Sequence, residues 1–131
     1  MNPPAPPPAD KPTLLVIDDD PAVTDALAMR LGREFRVVGL NDPHQAVEAA
    51  RRERPDVILC DINMPGMQGD EVAFELSQDD VTAGVPFIYL TSLVGKRETL
   101  HLDGQFGGHL AVSKGANTYE LMAVIRGVLG S

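Results

Sequence analysis

Four consecutive apolar residues, Val57-Ile58-Leu59-Cys60, run into Asp61 between Pro55 and a glycine- and proline-bearing loop that extends to Gly69. A run this short, with no polar residue alternating through it, reads as a strand buried on both faces. Strands of that kind belong to parallel sheets covered by helices on both sides, which narrows the fold class before any other segment is considered. The run ends on a carboxylate where the strand leaves the sheet. In open parallel α/β sheets, ligands bind beyond the carboxyl ends of the strands. Asp61 is therefore a candidate nucleophile or metal ligand, and equally a candidate loop cap, since aspartate is a common turn residue.

The rest of the chain repeats the pattern. Thr13-Leu14-Leu15-Val16-Ile17 is a second buried-type strand and ends on Asp18-Asp19-Asp20. Asp20 before Pro21 supplies an N-cap and a first-position proline for a helix to about Glu34, with Ala22, Val23, Ala26, Leu27 and Leu31 as its apolar stripe. Phe35–Leu40 is the next strand. Asp42-Pro43 repeats the cap-plus-proline device, with Gln45 placed as in a capping box, for a helix to Glu53 that buries Ala46, Val47 and Ala50. After Asp56–Asp61 come a helix from about Asp70 to Ser77 and a strand over Val85–Thr91. Val94–Gln105 reads as a short, weak helix because Gly95, Gly104, Gly107 and Gly108 lie in or beside it. His109–Val112 is the fifth strand. Asn117 with Glu120 opens a last helix to about Leu129, whose inward face is Leu121, Val124, Ile125 and Val128.

Length and composition bound what such a chain can do. Its 131 residues make one domain able to bury a core without staples. Residues 1–12 hold six of the 11 prolines and read as an extended, disordered tail, leaving 13–131 as the folded domain. No apolar run has membrane-spanning length, and no basic stretch followed by an apolar one opens the chain. The single cysteine, Cys60, excludes an internal disulfide, which with the absent leader favours the cytoplasm. A net charge of −8 argues against non-specific nucleic-acid binding. Only Gly130-Ser131 come after the last helix, so no output domain is expected within these residues. His44, His101 and His109 have no ligand spacing, Met64 and Met67 suit loop packing, and Arg51-Arg52 complement a helix dipole.

Five strands alternating with helices imply an α/β, doubly wound parallel sheet, flavodoxin-like, with the order 2-1-3-4-5 and helices on both faces. That order makes neighbours of the ends of strands 1, 3, 4 and 5 and leaves strand 2 at the edge. Asp18 and Asp19, Asp61, Thr91 and Lys114 lie at those four ends, whereas Leu40-Asn41 at the end of strand 2 carries nothing comparable. Two carboxylates about 5 Å apart repel by roughly 3 kcal/mol at an effective dielectric of about 20. Three of them together take up protons or bind a cation, and hard oxygens select Mg²⁺ or Mn²⁺. With a metal present, an aspartate oxygen can attack phosphorus, an ammonium (Lys114) can balance charge, and a hydroxyl (Thr91, backed by Ser92) can position the group.

The stretches Leu-Leu-Val-Ile-Asp18-Asp19-Asp20-Pro21, Asp61-Ile-Asn-Met-Pro-Gly-Met-Gln-Gly69, Tyr-Leu-Thr91-Ser92 and Val-Ser-Lys114 together resemble the receiver domain of two-component response regulators, over residues 13–129. The resemblance implies that Asp61 accepts a phosphoryl group from a histidine kinase or phosphotransfer protein and so switches an interaction surface for a downstream protein. It implies Mg²⁺ held by Asp19, Asp61 and the Asn63 carbonyl, with Asp18 acting through a water. Thr91 would hydrogen-bond the phosphoryl group and Lys114 would pair with it. Asn63 and Leu93 would flank the path of the hydrolytic water. No membrane or direct nucleic-acid partner and no enzyme activity beyond its own phosphorylation and dephosphorylation are implied.

Two positions depart from the family pattern. Ala111 stands where receivers carry a Phe or Tyr that moves with the threonine, with Phe106, Tyr119 and Tyr89 as other available aromatics. Gly115 stands where a proline usually succeeds the lysine. Those two residues support an alternative, a receiver-like interaction module that no longer uses phosphate. A second alternative is a metal-dependent phosphatase of the haloacid-dehalogenase type, suggested by Asp18-x-Asp20, Thr91 or Ser92, and Lys114. It leaves Asp61 without a role and lacks an acidic pair after Lys114.

Overall fold

Strand β1 (Thr13–Ile17) lies inside the sheet, with β2 (Arg36–Leu40) on one side and β3 (Val57–Asp61) on the other, all parallel. The computed structural model describes residues 11–92, 99–101 and 109–130. Strands β4 (Phe87–Thr91), β5 (Thr99–His101) and β6 (Leu110–Ser113) extend the sheet, giving the order β2-β1-β3-β4-β6-β5. Its five parallel strands stand in the expected 2-1-3-4-5 arrangement, β6 being the fifth of them.

β5 is an addition. It pairs antiparallel with β6, Leu100 opposite Ala111, within the segment expected to be helical. Without it, β6 would present a row of unpaired backbone groups at the edge of the sheet. The glycines around residues 94–108 weaken any helix there, so pairing at the open edge wins for Thr99-Leu100-His101. The remainder of the expected helix, Phe106 and the proline segment before Lys11 lie outside the described residues. Lys11 and Pro12 are held, the ammonium donating to the Gly32 carbonyl at 3.0 Å and the Pro12 carbonyl accepting from the Arg36 amide at 2.8 Å.

Four α-helices pack on the sheet: α1 (Pro21–Leu31), α2 (Ala46–Glu53), α3 (Gly69–Ser77) and α4 (Thr118–Leu129). Asp20 caps α1 by accepting from the Ala22 amide, and Pro21 fills a position whose amide needs no partner. The helix stops at Leu31, three residues before Glu34. Asp42 also caps, but the element it opens is a single 3-10 turn, Pro43–Gln45, which precedes α2. Gln45 donates to the Asp42 carboxylate at 3.2 Å rather than accepting from its backbone amide. Asn117 and Glu120 form the reciprocal capping box at the start of α4.

Period-two alternation divides the core into two layers. Leu14, Val16, Leu59, Ile88, Leu90 and Val112 pack beneath α1 and α4 with Leu27, Leu31, Leu121 and Ile125. Leu15, Ile17, Ile58, Cys60, Tyr89 and Ala111 pack beneath α2 and α3 with Ala46, Ala50, Val72 and Leu76. On α1 the expected stripe shifts: Ala22 and Ala26 are exposed, while Thr24 is buried. Thr24 meets its need locally, its hydroxyl donating to the Pro21 carbonyl at 3.1 Å.

Candidate functional site

Register delivers the site. Ile17 lies opposite Cys60, Asp61 opposite Leu90, and Thr91 opposite Ser113, so the residues after these pairs emerge together at one edge of the sheet. Two backbone bonds tie the exits: the Ile62 amide donates to the Leu90 carbonyl at 3.3 Å, and the Lys114 amide to the Thr91 carbonyl at 2.9 Å. The loop after Asp61 returns at once. Gly69 donates its amide to the Ile62 carbonyl at 2.7 Å, and a Cβ at residue 69 would stand 2.5 Å from the Asp61 carbonyl oxygen. Only glycine permits that approach. Met64 and Met67 are buried beneath the same loop, as loop packing requires.

Asp18 is fully buried, Asp61 and Thr91 nearly so, and Asp19 is exposed. One carboxylate oxygen from each of Asp18, Asp19 and Asp61 falls within 4.8 Å of the others. The Lys114 ammonium sits between two of them, 2.9 Å from Asp18 Oδ2 and 3.3 Å from Asp61 Oδ1. Asp18 Oδ1 accepts from the Asp20 amide at 2.9 Å, and Asp61 Oδ1 from the Asn63 amide at 3.4 Å. Burial pushes the Asp61 carboxyl up, the Asp18 charge adds to this, and Lys114 only partly offsets them. Burial would lower the Lys114 ammonium, but Asp18 and Asp61 together more than offset it and hold it above its ordinary value. Three acidic oxygens facing one ammonium leave surplus negative charge that suits a hard divalent cation.

The structure thus brings Asp18, Asp19, Asp61 and Lys114 together, with Thr91 joined to Lys114 through the backbone. Asp20 is not among them: its side chain caps α1. The acidic pair Asp18-x-Asp20 needed for a phosphatase of the haloacid-dehalogenase type is therefore split between the site and a helix cap. Ser92 is exposed beyond β4, and Leu93 lies outside the described residues. Ala111 is buried opposite Tyr89. The Tyr89 ring packs against Phe87 at 5.0 Å and His109 at 5.8 Å, and burial pushes its phenol up to about 12. Tyr89 is thus a core residue. His44 pairs with Asp42 at 3.2 Å on the surface.

Asn41 is a residue that sequence reasoning missed. Its side-chain amide donates to the Asp18 carbonyl at 2.8 Å and to the Thr24 hydroxyl at 3.1 Å, anchoring the turn that carries the acidic pair. The end of β2 bears no chemistry of its own but does hold β1's. No local signal marks it, since the contact joins residues 23 positions apart.

Comparison with known proteins agrees with this geometry. The model of the response regulator receiver domain matches residues 14–126. The DNA-binding response regulator MtrA of Mycolicibacterium smegmatis is 35% identical over 114 residues, 86% of this chain and 48% of that protein. The chain spans about half or less of the length of the curated relatives it matches. Among solved structures, the BeF3-activated receiver domain of Klebsiella pneumoniae RstA is 30% identical with a TM-score of 0.74, covering 91% of this chain and 99% of that one. The receiver domain of the sensor histidine kinase PA1611 of Pseudomonas aeruginosa, with magnesium coordinated in its active site cleft, is 26% identical with a TM-score of 0.78, covering 93% and 100%. Five parallel strands in this order, with an acidic cluster and a lysine at their carboxyl edge and the matched receiver model, mark a class of signalling module. The chain belongs to the receiver domain family of two-component response regulators. Among the described residues no helix is long and apolar enough to cross a membrane.

Proposed function

We propose that Asp61 is the phosphoacceptor. A carboxylate oxygen of Asp61 attacks phosphorus in a phosphohistidine; the phosphorus–nitrogen bond breaks, the imidazole leaves with its electron pair, and an acyl phosphate remains. Asp61 reaches the end of β3 already desolvated, so little water must be removed before it attacks. Lys114, 3.3 Å from Asp61 Oδ1, exchanges that contact for the incoming phosphoryl oxygens, and the Thr91 hydroxyl donates to another. The residues that would hold Mg²⁺ or Mn²⁺ are Asp19, Asp61 and the Asn63 carbonyl, with Asp18 acting through a water. When bound, the ion neutralises charge on the phosphoryl oxygens. The donor is a histidine kinase or phosphotransfer protein in the cytoplasm, and the product is a switched surface for a downstream protein, with no membrane or direct nucleic-acid contact by this domain. The folded domain includes Lys11 and Pro12, which are tied to Gly32 and Arg36, and follows a proline-rich segment.

The observation that carries this reading is the Lys114 ammonium held between two buried carboxylates with a third beside them. Asp61→Asn keeps the shape and removes the nucleophile. Labelling by phosphoramidate in Mg²⁺ should fall to background while the circular dichroism spectrum stays that of the wild type. Labelled Asp61→Asn, with the label mapped to another residue, would refute the assignment.

A further inference from the structure

Lys114 stands at the head of a four-residue connection, 114–117, between β6 and α4. Its next residue is glycine, the least restrained in backbone entropy. On the strand side the connection is fastened by short-range bonds: the Gly115 amide donates to Ser113 Oγ at 2.9 Å and the Ala116 amide to the Ser113 carbonyl at 3.0 Å. On the α1 side Ala116 packs into the core layer with Leu27 and Leu31, but beside Lys114 itself a cavity of about 190 Å³ opens. Val23, Leu27, Leu90 and Leu121 line it, and Lys114 forms part of its wall.

One side chain crosses that gap. Arg30, half-buried on the last turn of α1, donates from its terminal guanidinium nitrogen to the Ala116 carbonyl at 2.8 Å and from Nε to Thr118 Oγ1 at 3.2 Å. Both acceptors lie on the far side of the Lys114–Gly115 bond from β6. The planar fork presents its donors in a fixed geometry, which an ammonium on a flexible stem does not. The helix that Arg30 extends from begins at Pro21, directly after the acidic turn Asp18-Asp19-Asp20. α1 therefore touches both halves of the site, the carboxylates at its first turn and the lysine loop at its last.

We propose that Arg30 is a positioning residue for phosphorylation of Asp61: by bridging α1 to Ala116 and Thr118, it holds the glycine-containing loop that sets Lys114 over the carboxylates. This rests on the reading of Asp61 as phosphoacceptor. The residues that would hold the metal lie on the β1 and β3 exits, which Arg30 does not touch. Its removal should slow phosphoryl transfer without weakening metal binding. A general loosening of the fold would affect both.

The test is the initial rate of Asp61 labelling by phosphoramidate at saturating Mg²⁺, well below the unfolding midpoint, alongside Mg²⁺ affinity from amide chemical shifts. Arg30→Met keeps an apolar stem in the cavity and loses both donors; the rate should fall about ten-fold, as expected when a reacting group is misplaced by a fraction of an ångström. Thr118→Val, which leaves α1 untouched, should show a smaller loss. Arg30→Lys, which restores a cationic donor without the planar fork, should lie between Arg30→Met and wild type. Mg²⁺ affinity should not fall below wild type in any of the three. Wild-type rates in both Arg30→Met and Thr118→Val, or Mg²⁺ affinity falling in step with the rate, would overturn the positioning role. A wild-type protein that takes no label on Asp61 would instead overturn the phosphoacceptor reading, and this inference with it.

Discussion

Asp61 carries its charge where charge is disfavoured, buried and near Asp18, and Lys114 is held charged by those same two acids. Each group's protonation depends on its neighbours, which is how one strand end acquires chemistry that a free aspartate lacks. His109 shows the opposite sign, with burial as the cause. Its ring lies 5.2 Å from Phe87 and 5.8 Å from Tyr89, and burial lowers its pKa below the ordinary 6.5. The unfolded chain therefore binds the proton more tightly. The stability that neutral His109 contributes is complete above about pH 6.5 and is lost as the pH falls through the window below it. Urea midpoints of wild type and His109→Gln should accordingly converge as pH is lowered from 7 to 5. Parallel midpoints over that range would show that His109 does not titrate differently on folding.

Between β3 and α3, glycine sets the geometry. The loop after Asp61 folds back so closely that a Cβ on residue 69 would lie 2.5 Å from the Asp61 carbonyl oxygen and 3.0 Å from Ile62 Cα, both backbone atoms that cannot step aside. Gly69→Ala should cost about 2 kcal/mol, within the range for overpacking. It should also slow labelling of Asp61, because relief requires the Asp61–Ile62 backbone to move. Urea denaturation reads the first effect, and an unchanged free energy would mean that the loop yields freely. The helices show how far local pattern carries. Caps at Asp20, Asp42 and Asn117 were legible because each involves neighbours within three residues. The apolar stripe of α1 was legible only in part: Val23, Leu27 and Leu31 face the core, but Ala22 and Ala26 border the cavity that Arg30 spans, and Thr24 turns inward where Asn41 meets it.

Across the whole domain, folding gathers three acids from two strand ends against one ammonium, in a chain whose net charge is already −8. Asp19→Ala should therefore unfold at higher denaturant than wild type in EDTA, by roughly 1 kcal/mol for a partly exposed charge. Added Mg²⁺ should reverse the order, since binding to the folded state alone stabilises it. A lower midpoint for Asp19→Ala in EDTA would show that the crowding is not felt. Apolar runs at 13–17, 35–40, 56–61, 85–91 and 109–112, separated by helical stretches, were enough to read a parallel sheet in the order 2-1-3-4-5. The same runs placed Asp18, Asp61, Thr91 and Lys114 at adjoining ends. Strand identity is written locally, in burial period and punctuation, and the handedness of crossovers then leaves few orders available. Three features had no local signature: the antiparallel pairing of Thr99–His101 with β6, the hold of Asn41 on Asp18, and the span of Arg30 to Ala116 and Thr118. The first depends on a sheet edge standing open. The other two join residues 23, 86 and 88 positions apart, and only the assembled sheet brings such distant donors and acceptors within hydrogen-bonding distance.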